Sequence, residues 1–118
     1  MSWTYSQSTG RISHNGRIIA TGYSGAGLGR NNSGAENLRN VGPIPRGRYR
    51  IGAPRDTTTH GPHVLDLTPD GHNALGRDGF LIHGDNLRHT ASTGCIILKR
   101  TVRDRISRSA DNVLVVVD

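Results

Sequence analysis

A single cysteine, Cys95, excludes an intramolecular disulfide framework, and without a Cys-x-x-Cys pair a cysteine-rich zinc site is excluded too. Aromatic residues make up 4% and hydrophobic residues 33% of the 118 positions, so the chain can bury one core of modest size. No apolar run approaches the length of a membrane span. The opening Met-Ser-Trp-Thr-Tyr-Ser-Gln has no basic segment leading into an apolar one, so no signal peptide is expected and the chain would be made in the cytoplasm. No basic run carries interleaved aromatics, which disfavours a single-strand nucleic-acid binder.

What is abundant is glycine and arginine. The 16 glycines are about twice the usual share and point to many turns joining short strands. The 15 Lys+Arg, mostly arginine, outnumber 9 Asp+Glu and give a formal charge of +6. That balance suits a polyanionic partner such as nucleic acid, an anionic cell-wall polymer or an acidic protein.

Short strands can be placed along the chain. Trp3–Gln7 alternates, and Asn15-Gly16 is a strong hairpin signal between Ile12-Ser-His and Arg17–Thr21. Tyr23–Gly34 is rich in Gly, Asn and Ser. Its Gly25-x-Gly27-x-Gly29 spacing lacks the Gly-Lys-Ser/Thr of a phosphate loop, which leaves a flexible loop lining or covering a site. Ala35–Asn40 is expected to form one helical turn. Pro43 and Pro45 impose an extended approach to a strand over Arg48–Ile51. Ala53–Pro62 reads as a turn-rich connection, and His63–Thr68, Phe80–His83 and Cys95–Leu98 read as strands. Val102 and Ile106 mark one helix with Thr101 as its N-cap, and Val113–Val117 reads as a buried strand. The expected fold is a mainly β single domain over 1–118, a sandwich or partly open barrel with one short helix.

Chemistry concentrates in Phe80–Ile97. His83 ends one apolar run and Cys95 opens another twelve residues later, with Gly84 and Gly94 beside them. A thiol within reach of an imidazole makes a nucleophile–base pair, and amides at a glycine turn can face a developing oxyanion. His89 borders the same loop, and Asp85 could orient a substrate amine. His14, His60, His63 and His72 read better as turn or strand-edge residues.

Ile82-His83-Gly84 followed by Ser92-Thr93-Gly94-Cys95 resembles the signature of L,D-transpeptidases of the YkuD type. Gly42-Pro43-Ile44-Pro45-x-Gly47-x-Tyr49-x-Ile51 is similar to a strand of the same fold. The match is closer to the small L,D-transpeptidase-like effectors of type VI secretion systems, through Trp3, Tyr5, Ser8-Thr-Gly10, Gly22-Tyr-Ser-Gly25 and Gly94-Cys-Ile-Ile-Leu98. The resemblance implies Cys95 as nucleophile, His83 as base oriented by the Gly84 carbonyl, and an oxyanion hole at Gly94 and Cys95. Ser92, Thr93, Asp85, His89 and Tyr23 complete the implied substrate-binding set. The implied substrates are peptidoglycan tetrapeptide stems and D-amino acids. The reaction is L,D-carboxypeptidation or exchange through a thioester, without cofactor or metal. The resemblance further implies a monomer that is secreted, acts in the periplasm of target bacteria and is met by a cognate immunity protein. Thr93 replaces the family's histidine, Ile97 replaces a polar residue, and the short His-to-Cys loop predicts an open cleft. Two other readings stand beside it: a basic nucleic-acid-binding or nuclease toxin, and a zinc peptidase built on histidines and Asp85.

Overall fold

The computed structural model describes residues 2–118. Side chains on β1 (Trp3–Ser6) alternate, with Trp3 and Tyr5 turned inward and Thr4 and Ser6 outward. This strand begins a meander with β2 (Arg11–His14) and β3 (Arg17–Thr21), closed by Asn15 at φ 52° and Gly16 at φ 81°. Two consecutive left-handed residues match the twist of the flanking strands, which is why Asn-Gly turns here.

The remaining strands are β4 (Tyr23–Ser24), β5 (Gly47–Ile51), β6 (Arg55–Thr57), β7 (Gly61–Pro69), β8 (Leu81–His83), β9 (Ile96–Ile97) and β10 (Val113–Val117). They form one sheet in the order β3-β2-β1-β10-β5-β7-β8-β9-β4, with β6 on the outer half of β7. The sheet curls nearly into a barrel around Trp3, Tyr5, Ile44, Tyr49, Leu65, Ile82, Ile96 and Leu114. The mainly β single-domain expectation holds. β10 lies between β1, to which it runs parallel, and antiparallel β5. Its neighbours on both sides explain an almost unbroken run of valines.

The one helix is α1 (Arg100–Arg108), which packs Val102 and Ile106 onto the core beside β7. Each such side chain contributes about 1.5–3 kcal/mol when removed from water. Thr101 is not its N-cap: the capping position is Lys99, with no side-chain cap. The expected flexible loop after β3 is also corrected. Tyr23, Ser24 and Gly25 are buried, β4 pairs with β9, and two short 3-10 turns (Gly27–Gly29 and Ser33–Ala35) follow. The turn expected within Ala35–Asn40 is closed by the Leu38 N–H on the Ala35 carbonyl at 2.9 Å, and it continues from the second of these, which is capped by the Asn32 carboxamide oxygen accepting from the Gly34 N–H at 3.1 Å. β6 was not legible as a strand, because it is three residues long and exists only by pairing with a β7 longer than its apolar stretch.

One carboxylate ties the 24–46 segment to the sheet. Glu36 accepts from the Gln7 side chain at 3.0 Å and from the Arg46 amide at 2.9 Å, and pairs with the Arg46 guanidinium. Burial alone would raise its pKa, but these donors outweigh it and hold the carboxyl down at about 2. A depressed carboxylate stabilises the fold above its unfolded value near 4.5, and that stability is lost as pH falls towards 2. Because Arg46 is half exposed, solvent screening leaves a contribution of at most about 1 kcal/mol. Urea unfolding of wild type and Glu36→Gln should therefore differ by that amount at pH 7 and converge at about pH 2. A constant gap would contradict the assignment.

Candidate active site

The turn that carries the cysteine has no regular ladder, so its buried polar backbone must find partners elsewhere. Ser92 supplies them. Its hydroxyl donates to the Cys95 carbonyl at 2.6 Å and accepts from the Gly94 N–H at 3.1 Å and the Gly25 N–H at 2.9 Å. Ser24 works from the other side, donating to the Gly94 carbonyl at 2.8 Å and accepting from the Ile44 N–H at 2.9 Å. Gly94 sits at φ +148°, and a Cβ there would lie 2.6 Å from the Arg77 guanidinium, so no other residue fits.

His83 is held by β8, which runs parallel to β9 with Ile82 opposite Ile96 and His83 opposite Ile97. Ile82 and Ile96 enter the core. Residues either side of them face outward, which puts His83 and Cys95 on the same face, with Cα atoms about 8 Å apart from strand spacing and rise. The His83 Nδ1 lies 2.8 Å from the Gly84 carbonyl. A carbonyl can only accept, so Nδ1 carries the proton and Nε2 keeps its lone pair. His83 is only 3% exposed and its ring tilts against His60, with centroids 4.6 Å apart.

The Cys95 sulfur is half-buried. It is within 3.8 Å of the Gly79 carbonyl and receives a hydrogen bond from the Leu81 backbone; the imidazole is not a hydrogen-bond partner. Burial pushes the thiol pKa up, against the Leu81 hydrogen bond and the Arg77 charge. Burial pushes the His83 pKa down, and His60 and Arg103 add to this against the Gly84 hydrogen bond. Both shifts favour neutral thiol with neutral imidazole over a resting ion pair. That differs from the thiolate–imidazolium pair that a simple Cys–His juxtaposition suggests.

Cys95 opens into a pocket of about 80 Å³ with Arg39, Arg77, Gly79 and Phe80. Gly79 and Phe80 also wall the depression under the β6–β7 turn, and Thr59 and His60 join that depression to the one lined by His83, Gly84 and Asp85. The three open depressions adjoin through these shared walls, with the thiol in one and the imidazole in another.

The other expected residues fall into two groups. Tyr23, Asp85 and His89 form a brace: the Tyr23 hydroxyl donates to Asp85 at 2.6 Å, and His89 Nδ1 meets the other carboxylate oxygen at 2.7 Å. The Ala91 N–H donates to Tyr23 at 2.9 Å, and the Arg30 guanidinium stacks 3.7 Å above the tyrosine ring. These three fix the loop between the site strands, with Asp85 alone reaching the His83 side of the groove. Thr93 is exposed and contributes its carbonyl, which accepts from Arg77. Among the other histidines, His14 stacks on Trp3 and meets Asp111, His63 meets Asp104 and Ser107, and His72 packs edge-on to Tyr49. Among the described residues no three His, Cys, Asp or Glu side chains converge as a metal site. Sequence reasoning missed Ser24, Arg77 and His60. Only Ser24 carried a signal, through its place in Gly22-Tyr-Ser-Gly25.

The family model of the Tlde1 domain matches residues 18–117. The chain belongs to that family. Tlde1 domains are type VI secretion effectors of L,D-transpeptidase-like character. Every residue of the groove lies inside the matched part of this Tlde1 domain, whereas β1 and β2 lie before it. No curated protein matches the chain. No helix is long and apolar enough to cross a membrane.

Two measurements test this geometry. Ser92→Ala removes three hydrogen bonds from a buried turn and should cost about 2–3 kcal/mol in urea unfolding, against under about 0.5 for exposed Thr93→Ala; equal losses would refute the hub. Because the thiol value is raised, the rate of Cys95 alkylation by iodoacetamide should climb with pH through an inflection above the ordinary value of about 8.5. An inflection at or below neutrality would instead mean a preformed thiolate.

Proposed function

We propose that this Tlde1 domain is a cysteine L,D-carboxypeptidase and L,D-transpeptidase of the YkuD type that attacks tetrapeptide stems of peptidoglycan. The observation that carries the reading is the parallel β8–β9 pair, which brings His83 and Cys95 to one face of the sheet above an open groove. The carbonyl of Gly84 at 2.8 Å leaves the outer imidazole nitrogen free to accept a proton.

On this reading Cys95 Sγ attacks the carbonyl of meso-diaminopimelate at position three while His83 takes the thiol proton. Neutral starting forms suit such concerted transfer, since the base needs its lone pair and the thiol its proton. The Gly94 N–H is committed to Ser92. The Cys95 N–H is then the donor of this turn for the tetrahedral oxyanion. His83 returns the proton to the departing amine of D-alanine, leaving a thioester on Cys95. Water releases a tripeptide, or a D-amino acid takes the acyl group. An open groove admits an extended stem still joined to its glycan, and the +6 charge favours an anionic polymer. An effector of this kind acts in the periplasm of a target cell, and its producer carries an immunity protein.

The test is to incubate the protein with purified tetrapeptide muropeptides, with and without D-methionine, and follow product masses. Wild type should yield tripeptides and, with D-methionine, exchanged tetrapeptides. Cys95→Ala should abolish both, and His83→Ala should slow them at least about 100-fold. Tetrapeptides left unchanged by wild type would defeat the proposal.

A further inference from the structure

Arg77 is 6% exposed, yet among the described residues it has no carboxylate partner. Its guanidinium is met by backbone carbonyls alone. One terminal nitrogen donates to Glu36 at 2.6 Å and Pro43 at 2.9 Å, the other to Gly42 at 3.1 Å and Thr93 at 3.3 Å. The plane also lies 5.2 Å over the Phe80 ring. A charge buried among dipoles without a counter-ion in contact is costly, and burial does lower the pKa of this arginine. A neutral glutamine could donate to two of these carbonyls without that cost.

We propose that Arg77 is a positioning residue for Cys95: it clamps the Thr93–Gly94 backbone from below and presents the sulfur with a positive charge that no carboxylate contacts. Both side chains line the same small pocket, and the guanidinium occupies the space that a side chain at position 94 would need. The inference rests on Cys95 being the nucleophile. The two groups are electrostatically coupled, the arginine favouring the ionised sulfur. As the thiol loses its proton to His83, the negative charge develops beside a cation already in place, with no reorganisation.

A pure tether and a charge make different predictions. Iodoacetamide alkylation of Cys95 across pH, with thermal unfolding alongside, should be measured for wild type, Arg77→Gln and Arg77→Lys. Arg77→Gln should move the alkylation inflection up by about one pH unit, slowing the reaction about tenfold at pH 8. Arg77→Lys keeps the charge and loses the fork, so its inflection should stay within about 0.3 unit of wild type even as its melting temperature falls. An unshifted profile in Arg77→Gln, or a lysine protein shifted by a full unit, overturns the proposal and leaves a tether. Should the glutamine protein not fold, its profile is taken in sucrose, which favours the compact state, and read by the same criterion. The readout needs no peptidoglycan, so wild type that fails on muropeptides would defeat the enzymatic reading while this profile still reports on Arg77.

Discussion

The hydroxyl of Ser92 has one proton to give and two lone pairs to fill, and the structure uses all three: Cys95 receives the proton, and Gly94 and Gly25 fill the lone pairs. Because those partners come from two distant stretches of chain, one buried oxygen fixes how the cysteine turn sits on the 22–25 segment. Ser24 repeats the arrangement one layer further in, joining Gly94 to Ile44. A turn without a ladder thus acquires the rigidity of one. Rigidity matters here because a nucleophile misplaced by an ångström loses much of its rate advantage.

Two buried arginines stand behind the two reactive side chains in a matching way. Arg77 lies against Gly94, next to Cys95; Arg103 lies against Gly84, next to His83, and is likewise held by carbonyls, those of Leu98, Pro62 and His63. Their charges act in opposite senses on the pair. A cation beside the sulfur favours its anion, whereas a cation beside the imidazole opposes protonation. The glycines at both positions therefore have a steric cause that flanking sequence alone does not reveal.

The parts of the fold legible in the sequence are those with local causes. Asn15-Gly16 dictates its hairpin, Pro43 and Pro45 lead into β5, the valine run forms β10, and Val102 with Ile106 marks the helix. His83 and Cys95 stood out as a candidate pair because one closes an apolar run and the other opens one, each beside a glycine. What stayed hidden depends on distant partners. β4 and β6 are two and three residues long and show no alternation of their own; they are strands because β9 and β7 offer open edges. Tyr23, Asp85 and His89 were placed in the right neighbourhood, yet they mainly brace a loop. Nothing near Arg77 in the chain announces that its guanidinium reaches four carbonyls.

The position of β10 bears on how the protein comes into being. The last of the ten strands in chain order lies in the middle of the sheet, between the first strand and the fifth. Until it is in place, β1–β3 and β5–β9 share no edge, and the segments to be joined are far apart along the chain. Closing such a long loop delays the rewarding contacts, so the central pairings of the sheet form late in folding.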